Sequence, residues 1–242
     1  MSDDTPRILL TGAAGRIGTI LRDALADHRL HLHDRDVSGI DARANEATFE
    51  GDIADFAGVQ KAVAGCSAVV HLAADPRVSA PWDDLRTPNI DGAYNVFEAA
   101  RLAGARRIVF ASSNHATGIL DRQQRWPIDP YGDIAPDSLY GVSKAFGEAL
   151  GRYYAETAGM SVVCLRIGWV FDRLLPDNPD WRRMWLSSGD LGQLVRKSLS
   201  ADVTFGIYYG VSANTPMQYA LDNARDDLGY EPVDDSARIR AT

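Results

Sequence analysis

Thr11-Gly-Ala-Ala-Gly-Arg-Ile-Gly18 places three glycines directly between a strand-like run, Arg7-Ile-Leu-Leu-Thr11, and an amphipathic stretch over residues 16–26. A chain passing from strand to helix in so few residues must turn sharply and pack the helix closely on the strand. Backbone N–H groups must also come near enough to hold a pyrophosphate at the helix N-terminus. The spacing G-x-x-G-x-x-G departs from the standard G-x-G-x-x-G, and an ordinary tight turn also needs glycines, so the strand–turn–helix context carries the reading. Gly12, Ala14, Gly15, Arg16, Ile17 and Gly18 are the candidate phosphate cradle.

Outward from this turn the pattern repeats. Leu30-His-Leu-His-Asp34, Ala47-Thr-Phe-Glu-Gly51, Ala68-Val-Val-His-Leu-Ala73, Arg107-Ile-Val-Phe-Ala-Ser112 and Ser161-Val-Val-Cys-Leu-Arg-Ile167 read as further strands. Between them lie helical stretches, one after Asp55, a long one over residues 82–103 and another over 138–158. Strands this apolar, without clean in/out alternation, are covered on both faces. Strand–helix alternation over some 160 residues predicts right-handed βαβ units, hence an α/β fold with a Rossmann-type doubly wound parallel sheet. Beyond residue 170 the character changes: proline-bearing loops are expected over 121–137 and 172–184. A helix capped by Ser187 or Ser188, a strand over 205–211 and a final helix over 217–228 follow. The expected organisation is a dinucleotide-binding part, residues 1–170, with a small substrate lobe, 171–242, packed on it.

Composition excludes several function classes. With 242 residues, 45% hydrophobic and 24% charged, the chain can build one large core. Acids outnumber bases 33 to 25, a net charge of −8, which disfavours a general nucleic-acid binder. No apolar run reaches the ~18–20 residues of a membrane span, and MSDDTPRILL lacks a signal peptide's basic start. Cys66 and Cys164 cannot make a disulfide framework and are expected as free thiols in a cytoplasmic protein. No metal-ligand set is read.

Asp34 closes the second strand 22 residues beyond Gly12. A carboxylate there accepts from the hydroxyls of an adenosine ribose and repels a 2′-phosphate, predicting NAD over NADP, with Arg35 beside it read as a solvated charge. Asp52, after the third strand, can accept from the adenine amino group or can simply open the next helix. Tyr140-Gly-Val-Ser-Lys144 sets a phenol and an ammonium one helical turn apart on one face. A phenol ionises near pH ~10, too high for base work, and a neighbouring cation, helped by a positive nicotinamide ring, is expected to lower it. Ala111-Ser-Ser-Asn-His115 brings hydroxyls to a strand's carboxyl end, where such sheets place ligands.

Together TGAAGRIG, HLAAD, Asn89, SSN and YGVSK resemble the extended short-chain dehydrogenase/reductase superfamily, specifically its NAD-dependent epimerase/dehydratase group. The longer strings FASSNHATG, LYGVSKAFGE and CLRIG resemble uronate dehydrogenases and related NAD-dependent sugar dehydrogenases. The resemblance implies that Ser113 and Tyr140 position and deprotonate a substrate hydroxyl, with Lys144 supporting Tyr140 and binding the nicotinamide ribose. It implies NAD contacts also from Ile53, Leu72, Ala73, Ala74, Asn89, Ser112 and Ile167. For the sugar it implies Asp75, Asn114, His115 and position 169, where this chain has Trp169 in place of the group's serine. Arg182 or Arg183 is the candidate cation for an anionic sugar, on the warrant of bidentate guanidinium–carboxylate recognition. The expected reaction is oxidation of an anomeric hydroxyl to a lactone. A nucleotide-sugar epimerase or dehydratase and a non-catalytic NAD sensor are the alternatives. Only 76 residues follow Arg166, which favours a small substrate. The resemblance also implies a homodimer through the helices of residues 82–103 and 138–158.

Overall fold

In the computed structural model, residues 6–171 and 178–239 are described. The chain runs through β1 (Arg7–Thr11), α1 (Arg16–Ala24), β2 (Arg29–Asp34), β3 (Glu46–Glu50), α2 (Phe56–Val63) and β4 (Ala68–His71). It continues with α3 (Trp82–Leu85), α4 (Gly92–Leu102), β5 (Arg107–Ser113), α5 (Gly118–Arg122), α6 (Leu139–Ala158) and β6 (Ser161–Ile167). The last third holds β7 (Trp169–Val170), α7 (Pro179–Met184), β8 (Trp185–Leu186), α8 (Ser188–Ser200), β9 (Phe205–Gly210) and α9 (Asp222–Leu228). Seven strands form one parallel sheet in the order β3-β2-β1-β4-β5-β6-β9, and β7 pairs with β8 separately. This is the doubly wound Rossmann sheet that the alternation predicts.

Alternate strand residues feed two layers, as the period of two requires. Leu10, Leu32, Val70, Val109 and Leu165 pack with Leu21 of α1 and Leu191 and Leu194 of α8. Leu9, Val69, Ile108, Phe110 and Cys164 pack with Val59 of α2, Phe97 of α4 and Tyr154 of α6. The last third is woven into this body: β9 adds the seventh strand, and Arg196 of α8 pairs with Asp27 behind α1 at 2.6 Å. Cys66 and Cys164 are buried free thiols, and among the described residues no helix is long and apolar enough to cross a membrane.

Three segments differ from expectation. The helix over 82–103 is α3 and α4 joined by a π-helical turn, Arg86–Asp91. Pro88 inside it has no N–H to give to the residue four back, so the local register widens. The loop over 172–184 is helical in its second part, α7, because the Asn178 side chain caps Asp180 N–H at 3.0 Å and Pro179 pre-sets the first turn; residues 172–177 lie outside the described residues. The final helix begins at Asp222 rather than 217. Residues ahead of it are extended, with Tyr219 bridging to Ile128 and buried, so tertiary pairing overrides helix formation there.

Candidate active site

β1 and β4 are the neighbouring strands at which the strand order reverses, and a cleft of about 1620 Å³ opens over the strands' carboxyl ends. The glycine turn forms one wall. Gly12 has φ +72°, and a Cβ there would lie 2.9 Å from Ala73 N, so only glycine lets β1 leave the sheet this close to the strand β4 extends. Gly15 caps α1 with no side-chain hydrogen bond, so the first N–H groups of this nine-residue helix face the cleft without a competing side chain. Thr11 ties the two switch-point strands together. Its Oγ1 accepts from Leu72 and Ala73 N–H at 3.2 Å, so its own proton goes to His71 Nδ1 at 2.8 Å, placing that ring's hydrogen on Nε2. Burial holds His71 neutral and pushes it down to about 3.

The expected cofactor residues gather here. Gly12, Ala14, Gly15, Arg16, Ile17 and Gly18 line the cleft with Asp34, Asp52 and Ile53 from the ends of β2 and β3. Leu72, Ala73, Ala74, Ser112 and Ile167 complete that lining. The Asp34 carboxylate accepts from Ala14 N–H at 2.9 Å and Arg35 N–H at 2.8 Å, pinning the glycine turn and leaving lone pairs on both oxygens. The cradle, the open helix end and this carboxylate fit a dinucleotide. Asn89 does not line the cleft. It sits in the π-helical turn, where its Oδ1 accepts from Asp75 N–H at 2.7 Å and its Nδ2 donates to Asp75 O and to Ser143 Oγ. It thus straps the loop after β4 to α6, one residue from Lys144.

Ser113, Tyr140 and Lys144 converge on the cleft floor, together with Asp75, Asn114 and His115. Ser138 caps α6 two residues before Tyr140, accepting from Gly141 N–H at 3.0 Å. Gly141 then lets the helix start against the turn that follows β5, since a Cβ would lie 2.3 Å from His115 O. Lys144 is buried and donates to Ala111 O at 2.8 Å, its nitrogen 5.5 Å from the Tyr140 ring centre. With no nicotinamide beside it, burial pushes the Tyr140 phenol up to about 12, and the Ser113 hydroxyl bonded to it offsets only part. The reason is the same desolvation that pushes Lys144 down to about 8. In the protein alone, burial dominates both groups and favours the neutral phenol and the neutral amine.

At the far end Trp169 lies in the lining with Trp181 and Met184. Trp169 packs edge-on against Trp181 and Phe171, and the Arg16 guanidinium stands 4.0 Å over Phe171 while donating to Val170 O. Arg182 and Arg183 are not in the lining. Arg183 donates to Asp121 at 3.3 Å and Asp180 at 2.6 Å beneath the Trp126 ring, and Arg182 donates to Ser236 O at 3.3 Å. The physical reason is Asp121: a carboxylate so nearly buried must be paired, and it takes the nearest guanidinium. Among the described residues, the cations lining the cleft are Arg16, Arg35, Arg77 and Lys144, with Arg77 held by Asp75 and Asp84.

Two features escaped the sequence. His115 Nδ1 is 2.9 Å from Asp137, which also pairs with Arg122 at 3.1 Å; since the carboxylate can only accept, Nδ1 carries the proton and Nε2 remains for the cleft. Behind Ser112 lies a buried ion pair, Arg166 to both Glu148 oxygens at 2.8 Å, and the Ser112 hydroxyl donates to the same carboxylate at 2.6 Å. An arginine inside the apolar strand Ser161–Ile167 was the available signal for it.

A doubly wound sheet with a glycine cradle and a serine–tyrosine–lysine floor defines a dinucleotide-binding protein of the short-chain dehydrogenase/reductase kind. Residues 8–184 match the NAD dependent epimerase/dehydratase family. The chain belongs to that family. It is 39% identical to the NAD-dependent glucose-6-phosphate dehydrogenase of Haloferax volcanii over 96% of this chain and 95% of that one. It is 38% identical to the uronate dehydrogenase of Pseudomonas putida, over 97% of this chain and 87% of that one. Among solved structures it resembles a variant of the Agrobacterium tumefaciens uronate dehydrogenase complexed with NAD. The TM-score is 0.85 and the identity 35%, covering 96% of this chain and 86% of that one.

Proposed function

We propose that the protein is an NAD-dependent dehydrogenase that oxidises a hydroxyl, the anomeric one, of a small sugar or sugar acid such as a hexuronate, releasing a lactone. The observation that carries this reading is the meeting of Ser113, Tyr140 and Lys144 on the floor of a cleft whose wall is the glycine cradle. The names of the relatives, sugar dehydrogenases that use NAD, support it.

The N-terminus of α1 would hold the pyrophosphate, Asp34 the adenosine ribose, Asp52 and Ile53 the adenine, and Lys144 the nicotinamide ribose. When bound, oxidised NAD supplies the two-electron acceptor and a positive charge that favours a phenolate beside it. Tyr140 takes the proton of the substrate hydroxyl, and Ser113 donates a hydrogen bond to the same oxygen as it becomes a carbonyl. Lys144, fixed by Ala111 O, stabilises the phenolate. Asp75, Asn114 and His115 contact the remaining sugar hydroxyls, and Trp169 supplies an apolar wall for the ring.

An NADH-formation screen over uronic acids, aldoses and sugar phosphates tests the reading. At least one sugar is expected to reduce NAD, and Tyr140→Phe is expected to lower its turnover at least about a hundredfold while NAD still binds. NAD binding without turnover of any of them refutes it in favour of a sensor. We further infer a homodimer formed through α4 and α6, supported by the exposed Tyr94, Val142 and Tyr153 on those helices. A cytoplasmic location is supported by the two free, buried thiols.

A further inference from the structure

His33 is 2% exposed, and neither Nδ1 nor Nε2 has a hydrogen-bond partner. It stands one residue before Asp34 at the end of β2, in register with Thr11 of β1 and Phe49 of β3. His71 occupies the same row on the other side of Thr11, and its Nδ1 is satisfied by the threonine hydroxyl. His33 instead lines the cleft between Asp34 and Asp52, with Nε2 beside Gly51, 3.6 Å from where a Cβ on that glycine would stand.

Folded chains pair their buried polar atoms, so a ring with two unpaired nitrogens in a cleft wall is prepared for a partner arriving from outside. Burial favours the neutral imidazole, against the pull of Asp34, Asp52 and Asp55. A neutral imidazole offers one donor and one acceptor. Flanked by two carboxylates, this position suits an uncharged group that can both give and accept hydrogen bonds and repels an anion.

We propose that His33 binds the purine-nucleoside end of the dinucleotide, hydrogen-bonding the base or its ribose between Asp34 and Asp52. This rests on the dinucleotide reading above. It gives the adenosine end a recognition element buried in the sheet, in addition to the carboxylates on its rim.

Calorimetric titration of ADP-ribose, which lacks the nicotinamide, into the full chain tests the assignment without turnover. His33→Leu is expected to weaken binding about tenfold or more, and His33→Gln, which keeps a donor and an acceptor, to lose less. The melting temperature of ligand-free His33→Leu is expected to equal or exceed the wild type, because two orphaned polar atoms are gone. ADP-ribose affinity within about twofold of wild type overturns the proposal. So does a loss of affinity that comes with a lower melting temperature and is not relieved in His33→Gln, since that marks a structural role. If His33→Leu does not fold, His33→Phe, a ring without nitrogens, is judged by the same results. A wild-type chain that does not bind ADP-ribose refutes the dinucleotide reading itself, and the role of His33 with it.

Discussion

Glu148→Gln removes one charge from a pair that lies directly behind the carboxyl end of β5, with almost no change of volume. Arg166 is 0% and Glu148 1% exposed, so no water reaches the guanidinium when its partner is neutralised. Arg166 keeps its contacts to Pro130 O at 3.1 Å and the Tyr209 hydroxyl at 3.4 Å, but both acceptors are uncharged. Leaving one buried charge uncompensated costs about 3–5 kcal/mol. At roughly 2–4 °C per kcal/mol for a chain of this size, the melting temperature should fall by roughly 6–20 °C. Urea unfolding followed by tyrosine and tryptophan fluorescence gives the free energy, and calorimetry gives the shift. The double variant Glu148→Gln/Arg166→Met removes both charges and should recover most of the loss, because apolar replacement of a buried pair is often neutral. Turnover should fall further than stability alone explains, since the Ser112 hydroxyl is held by the same carboxylate and Ser113 follows it. A single-variant loss below about 1 kcal/mol, or a double variant no better than the single, would refute the reasoning.

Gly12→Ala combines a left-handed backbone with a Cβ 2.9 Å from Ala73 N; it should cost about 1–2 kcal/mol or more in unfolding and at least about tenfold in NAD affinity by titration. Arg183→Ala unpairs Asp121 and should cost about 1–3 kcal/mol in the same unfolding assay. The Michaelis constant for an anionic sugar should stay within about twofold, because the guanidinium is already engaged outside the cleft. His71 is neutral in the fold with its value at about 3, against 6.5 in the unfolded chain. The unfolded state therefore binds more protons between these values, and stability is full above 6.5 and falls as pH drops toward 3. The slope from this one ring is about 1.4 kcal/mol per pH unit. The stability difference between wild type and His71→Gln, followed by urea unfolding from pH 7 to 4.5, should shrink with that slope, and a pH-independent difference would refute it.

The arrangement of the site follows from which forces act locally. Strand–helix alternation, the glycine turn, the Ser138 cap and the one-turn spacing of Tyr140 and Lys144 all depend on residues within a few positions of each other. Backbone geometry alone fixes their outcome, and they were legible. Asp34 was legible too, because βαβ handedness places the end of the second strand beside the first turn. Pro88 stands in plain view, yet its effect, a π-helical turn that aims Asn89 at Asp75 and Ser143, depends on what α6 presents.

The amino-acid sequence by itself therefore determined the parallel sheet and the glycine turn, and it singled out the serine, tyrosine and lysine that the fold brings together on the cleft floor. Tertiary structure decided the partners. Arg183 lies 62 residues from Asp121 in the chain and Arg166 lies 18 from Glu148. No periodicity couples such positions; what couples them is the need of each buried charge for a counter-charge once packing has excluded water. The same packing raised Tyr140 where its sequence neighbour Lys144 promised to lower it, and it left His33 buried without a partner. Desolvation is a property of the assembled fold, set by how many layers cover a residue, and no short stretch of sequence contains it.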